Sequence, residues 1–170
     1  NESPRAQYDG WRSMAYGEAG LDYEIGMTFL RPYVGLQHAY FRQHGLTETA
    51  GANTALAVDA MDFHCLRSHL GGRLSRTLDA GGRGTFEFRS AWIHEMLDTT
   101  EPQASARFTQ ATGGASFLVD GTDLGRDWWW FGTGLRWALG RNTELYADHD
   151  LMINARQSLH TGSGGLAVTW

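Results

Sequence analysis

Apolar and polar residues alternate along nearly the whole chain. In residues 14–25, Ala15, Gly17, Ala19, Leu21, Tyr23 and Ile25 share one parity, and Tyr16, Glu18, Gly20, Asp22 and Glu24 share the other. A period of two puts successive side chains on opposite faces of a β-strand. Residues 29–41 repeat the pattern, with Leu30, Pro32, Val34, Leu36 and Tyr40 opposite Arg31, Tyr33, Gly35 and Gln37. Between about 61 and 77, Leu66, Leu70 and Leu74 oppose Arg67 and Arg73; over 85–97, Phe86, Phe88, Trp92 and Met96 oppose Glu87, Arg89 and Glu95. Near 128–139, Trp129, Phe131, Leu135, Trp137 and Leu139 oppose Gly132, Gly134 and Arg136. Over 143–153, Leu145, Leu151 and Ile153 oppose Glu144, Tyr146, Asp148 and Asp150, and a last strand, 163–170, faces Leu166, Val168 and Trp170 one way. A shorter candidate covers 104–111 and 115–120, weakened by the glycine pair at 113–114. Turn-rich breaks fall at 45–54, 79–84, 99–103 and 121–126. The pattern predicts about eight consecutive strands, paired as antiparallel hairpins in one all-β domain, with no helix longer than a turn or two.

Alternation alone fits both a soluble sandwich and a membrane barrel. Strand length separates them: the runs reach 10–13 residues, whereas soluble strands cluster near 5–6 and a tilted bilayer-spanning strand needs about 9–11. The polar face mixes charges of both signs with Gly and Ala, which suits a crowded, wet lumen. Aromatics gather towards strand ends (Trp11, Tyr40, Phe41, Trp92, Trp128 to Trp130, Trp170), where the girdles of a barrel meet the lipid headgroups. These features predict an antiparallel transmembrane β-barrel of the outer-membrane type.

Composition sharpens this picture. Glycine is 22 of 170 residues, proline only 3, and there are seven Trp, a profile of long, glycine-relieved strands with aromatic bands. The net charge of -5 gives no reason to expect nucleic acid, and the lone Cys65 allows neither an intramolecular disulfide nor a thiolate metal cluster.

Enzymatic chemistry is not expected, nor is a cofactor or metal. WIHE at 92–95 lacks the second His of a zinc-protease motif, and His94 and Glu95 point to opposite faces of one strand. His64 and His69 differ in parity, and His149 points away from its neighbours Asp148 and Asp150. Ser158 and His160 have the same-face spacing of a nucleophile and base but no third member; no GxSxG elbow exists, and GGRG at 81–84 reads as a turn. The charged face is more informative. Glu18, Asp22, Glu24, Glu87, Glu95, Glu144, Asp148 and Asp150 share it with Arg31, Arg67, Arg73, Arg89 and Arg136. As lumen residues they could pair to stiffen the wall or line a hydrated path, and both roles use the same side chains.

The order of short motifs resembles the C-terminal β-domain of autotransporters, the translocator unit of type V secretion in Gram-negative bacteria. The residues that carry the resemblance are LRPYVGLQHAYF (30–41) with TE (47–48), SHLGGRLS (68–75), SAWIHE (90–95), ARF (106–108) and FLVDG (117–121). They continue through RD (126–127), GTGL (132–135), ELYADHD (144–150), His160 and GGLAVTW (164–170), so that about 12–170 is covered. The resemblance implies a twelve-stranded outer-membrane barrel, an N-terminal passenger carried to the cell surface, and a helical linker threading the pore. This sequence departs from that pattern in showing neither passenger nor linker helix, and only about eight strands. The expected organisation is a polar segment or loop over 1–10 and an autotransporter-like barrel over 11–170 that lacks its first strands. Because eight strands close into a barrel filled by its own side chains, a translocator reading places roughly four strands before Asn1, with the last strand pairing there and not with 14–25.

The chain end then reads as an outer-membrane assembly signal, with Ser163, Gly165, Val168 and terminal Trp170. An unpaired last strand is an edge on which another strand can template. The implied partners are the lipid bilayer, the barrel-assembly machinery through that strand, and a covalently linked passenger. Two other readings stay open: a self-contained small outer-membrane barrel acting as an adhesin or structural protein, and a soluble β-sandwich binder.

Overall fold

The alternation becomes strands throughout a computed structural model that describes residues 5–49, 55–97, 103–110 and 115–170. Among the described residues the strands are β1 (Gly10–Gly20), β2 (Tyr23–Ile25), β3 (Thr28–Gln43), β4 (Leu46–Thr47), β5 (Leu56–Val58), β6 (Met61–Thr77), β7 (Gly84–Glu95), β8 (Gln103–Phe108), β9 (Ser116–Asp120), β10 (Asp127–Ala138), β11 (Thr143–Ile153) and β12 (Ser158–Val168). The main sheet has the order β1-β3-β6-β7-β10-β11-β12, with the short β2 pairing with β3. Its seven principal strands run from 11 to 17 residues, and the fold is all-β and antiparallel, as the alternation predicts. The eighth strand read at 104–120 is not one of these. It is the β8–β9 hairpin of a separate sheet ordered β4-β5-β8-β9, and the glycine pair 113–114 lies outside the described residues. Parts of the breaks at 45–54 and 99–103, and Asn1 to Pro4, also lie outside them.

Two compact units make up the chain. The first comprises Asn1–Ala15, His38–Leu66 and Leu97–Leu124. It contains the four-stranded sheet and buries small side chains, Ala55, Ala57, Cys65 and Ala106. Trp11 and Tyr40 meet edge to face at 4.8 Å, and the Tyr40 hydroxyl donates to Asp62 Oδ1 at 2.9 Å. Arg107 pairs with Asp59 at 3.3 Å.

The second unit, Tyr16–Gln37, Arg67–Met96 and Gly125–Trp170, holds most of the main sheet. Its packed cluster is Tyr33, Ala91, Ile93 and Trp128, with Trp130 and Met152 against it. The registers put Trp128 opposite Ile93 and Trp130 opposite both Ala91 and Met152. Trp128 and Trp130 therefore belong to the charged face, not to an outward girdle, and of the three tandem tryptophans only Trp129 (52% exposed) stands on the other side. That other side is apolar and open: Leu36, Leu70, Leu135, Leu166 and Val168 are all exposed. A large exposed apolar area beside a small core of mixed polarity inverts the usual soluble arrangement and marks a surface made for an apolar environment.

Two short turns set the hairpins. Gly26, at φ +62°, is the first central residue of the two-residue β2–β3 turn closed by the Ile25–Thr28 pair, where a primed turn needs a left-handed residue. Between β6 and β7, Asp79 Oδ1 accepts from the backbone amides of Arg83 (2.8 Å) and Gly84 (2.9 Å). The Gly84 amide is the main influence holding the Asp79 carboxyl below its ordinary range, with the Arg83 amide and guanidinium adding to it. A depressed carboxylate stabilises the fold above its ordinary titration range and loses that contribution as pH falls through the lowered value. Asp79→Ala is therefore expected to lower the denaturant midpoint at pH 7, with the gap to the parent closing below about pH 4. A gap of the same size at low pH is the contrary result.

Candidate functional site

Charge is concentrated on one face of the second unit, where antiparallel register brings together residues distant in sequence. Glu18 on β1 accepts from Arg73 Nη2 on β6 at 2.9 Å and from the Tyr16 hydroxyl at 2.8 Å. Arg31 on β3 lies 3.9 Å from Glu18 and 3.6 Å from Asp22. The Arg73 guanidinium also sits 5.1 Å above the Tyr33 ring. Across β7, β10 and β11, Arg89 reaches Asp148 at 3.4 Å and Asp150 at 3.3 Å over the bare backbone of Gly132. Its Nε lies 3.4 Å from Glu87, an ion-pair contact without hydrogen-bond geometry, and its guanidinium caps Trp130. Arg67 donates to the buried Glu95 at 3.2 Å, and Arg136 to Glu144 at 3.3 Å. A carboxylate and a guanidinium that are half-buried have lost hydration and recover it only in such pairs.

The structure thus gathers Glu18, Asp22, Arg31, Arg73, Glu87, Arg89, Glu95, Arg136, Glu144 and Asp148 into pairs and triads. Glu24, on the short β2, is exposed and belongs to none of the ion pairs among the described residues. Sequence parity already placed Tyr16 and Tyr33 on this face but assigned them no role. Together with Gln37, Arg67, His69 and Arg73 they form the polar part of the lining of a cavity of about 390 Å³. His69 Nε2 is buried there without a hydrogen-bond partner among the described residues, the kind of group that water satisfies in a polar cavity.

Glycine does specific work on this face. The Tyr33 ring lies over Gly71, so that an added Cβ would sit 2.8 Å from the ring and 2.5 Å from Ser90 O. Tyr16 covers Gly35, and Tyr146 covers Gly165, its direct register partner. Gly71→Val is expected to cost about 2–3 kcal/mol through overpacking, read as a lower urea midpoint of the refolded protein. Gly72→Val meets only Arg31 O, at 3.9 Å, and is expected to cost much less. Equal losses at the two positions would contradict this packing.

The chain end differs in extent from its sequence reading. β12 begins at Ser158, five residues before the strand read from the pattern. Ser163 pairs with Asp148, Gly165 with Tyr146 and Val168 with Thr143. Trp170 follows the strand and is fully exposed, while Thr169 is tied on both sides of its peptide to Asn142. Ser158 and His160 do not form a dyad; His160 Nδ1 faces His149 Nε2 at 3.4 Å.

The chain matches the family described as Autotransporter beta-domain over residues 1–150. The match ends before β12. No curated protein matches the chain significantly.

Proposed function

The chain belongs to the autotransporter β-domain family, whose members are translocator barrels of the Gram-negative outer membrane in type V secretion, and from that premise we propose that it supplies the later strands of a barrel that exports an N-terminal passenger and anchors it at the cell surface. The observation that carries this reading is the strand order. β1 and β12 stand at its opposite ends, and no ladder joins them among the described residues. A sheet in lipid must close, because an unpaired backbone edge has no water to bond. Strands contributed from upstream of residue 1 would join the two edges and widen the barrel enough for a polypeptide in transit. The paired charges of the Arg89 and Glu18 groups would then line a hydrated interior, with the apolar face against lipid.

The test uses the full-length protein in cells. A cysteine at Ala167 on β12 is expected to crosslink with cysteines in the segment upstream of residue 1, and the passenger is expected to be cleaved by protease added outside. Crosslinking of Ala167 to cysteines along Ala15 to Tyr23 would favour the self-contained small barrel. In the same cells, deleting Trp170 is expected to slow appearance of the folded barrel about tenfold, because its exposed indole ends the edge offered to the assembly machinery. The purified, already folded variant should unfold like the parent. Assembly at the parental rate would end the signal reading.

A further inference from the structure

We propose that Ser68, His94 and Asp127 form a nucleophilic triad on the apolar outer face, directed at the carboxylic ester of a membrane glycerolipid. The three residues lie side by side on adjacent strands. His94 on β7 is the register partner of Ser68 on β6 and also of Asp127 on β10. All three share the face of Leu70, Trp92 and Trp129, opposite the charged network, so Glu95 beside His94 plays no part. His94 Nδ1 lies 2.8 Å from Asp127 Oδ1. A carboxylate only accepts, so the ring donates from Nδ1 and keeps its lone pair on Nε2. Trp92 Nε1 donates to the same oxygen at 3.1 Å and holds the carboxylate in place. With Nδ1 engaged on the β10 side, Nε2 is the free nitrogen for the hydroxyl directly opposite on β6. Directly opposed residues of an antiparallel pair have Cβ atoms about 4.5–5.5 Å apart, a span that a serine oxygen and an imidazole nitrogen can close. Orientation by a carboxylate, a fixed tautomer and an adjacent hydroxyl are the three parts such chemistry requires.

The surroundings choose the substrate. Trp92 and Trp129 stand in the same row of the sheet, and tryptophans on a lipid-facing surface favour the headgroup level, where the ester bonds of glycerolipids also lie. Leu70 continues that row on β6, and exposed Leu74 and Phe88 lie further along the same face, an apolar track for an acyl chain. The site rests on the membrane-barrel reading only in needing lipid beside this face. In the reaction, Ser68 Oγ bonds to the ester carbonyl carbon while its proton passes to His94 Nε2. The ester C–O bond then breaks, and the departing lysolipid alkoxide takes that proton. Water attacks the Ser68 acyl group with His94 again as base, releasing the fatty acid and restoring the hydroxyl.

The full-length protein, folded in detergent micelles, is treated with a long-chain alkyl fluorophosphonate, and the adduct is mapped by mass spectrometry. Folding of each sample is read separately from heat-modifiable electrophoretic mobility, so loss of the barrel is distinguished from loss of the site. An adduct on Ser68 is expected, absent in Ser68→Ala and formed at least about 100-fold more slowly in His94→Gln. In phosphatidylcholine vesicles the parent should release fatty acid and Ser68→Ala should not. A folded parent with no Ser68 adduct, or an adduct formed as fast in His94→Gln, overturns the proposal and leaves the cluster as a structural rim. Should His94→Gln not fold, Asp127→Asn takes its place, and an adduct formed there as fast as in the parent overturns the proposal.

Discussion

Replacing Arg89 with leucine will cost about 3 kcal/mol of stability, the scale expected when one member of a desolvated ion-pair group is removed. Arg89 is only 19% exposed and reaches Glu87, Asp148 and Asp150. Its loss leaves three neighbouring carboxylates facing one another with no cation between them. Leucine fills part of the volume above Trp130, so the deficit is electrostatic more than steric. Arg89→Lys should recover less than half, because an ammonium cannot span two aspartates as a planar guanidinium does. Urea unfolding of the refolded protein in detergent measures both variants. A loss under about 1 kcal/mol for the leucine variant would mean that water screens the group as it screens surface pairs.

Leu135→Arg will cost about 2–4 kcal/mol in a bilayer, the penalty for a cation near the middle of a barrel's lipid face. Leu135 lies on the apolar side of β10, in register with Phe86 and Ala147. Leu36→Arg, on β3, should behave alike, while Leu135→Ile and Leu36→Met should be tolerated. On the other face, Ser163→Arg places a cation beside Asp148 and should cost little while altering ion conductance. Refolding yields into vesicles separate the two faces; equal tolerance of arginine on both would reverse their assignment.

Period two made the faces legible before the fold was known. Arg31, Tyr33, Leu36, Leu70, Arg89 and Leu135 all stand where parity put them, because in a strand the side-chain direction is set by the backbone alone. Partner choice was not legible. That Arg89 would bridge two aspartates some sixty residues later depends on strand order, which no local pattern encodes. The tandem tryptophans misled for a related reason. Clustering near a strand end suggested a girdle, yet alternation sends Trp128 and Trp130 to the face opposite Trp129. The hairpin at β8–β9 imitates the short strand of a larger sheet, and only its pairing with β5 reveals a separate one. His94 and Asp127 were readable singly but not as neighbours of Ser68, since the three come from distant motifs.

Two of the tyrosine-covered glycines, Gly165 and Gly71, have a consequence for how this sheet finds its alignment. A slip that keeps each side chain on its own face must move a strand by two residues. Such a slip would set Tyr146 against Ser163 or Ala167, and Tyr33 against His69 or Arg73. At these two joints a misalignment forces a side chain into space that a ring already fills, so each admits one position, as a key admits one lock. Hairpins added one at a time could be proofread in this way at each step, before the next strand arrives.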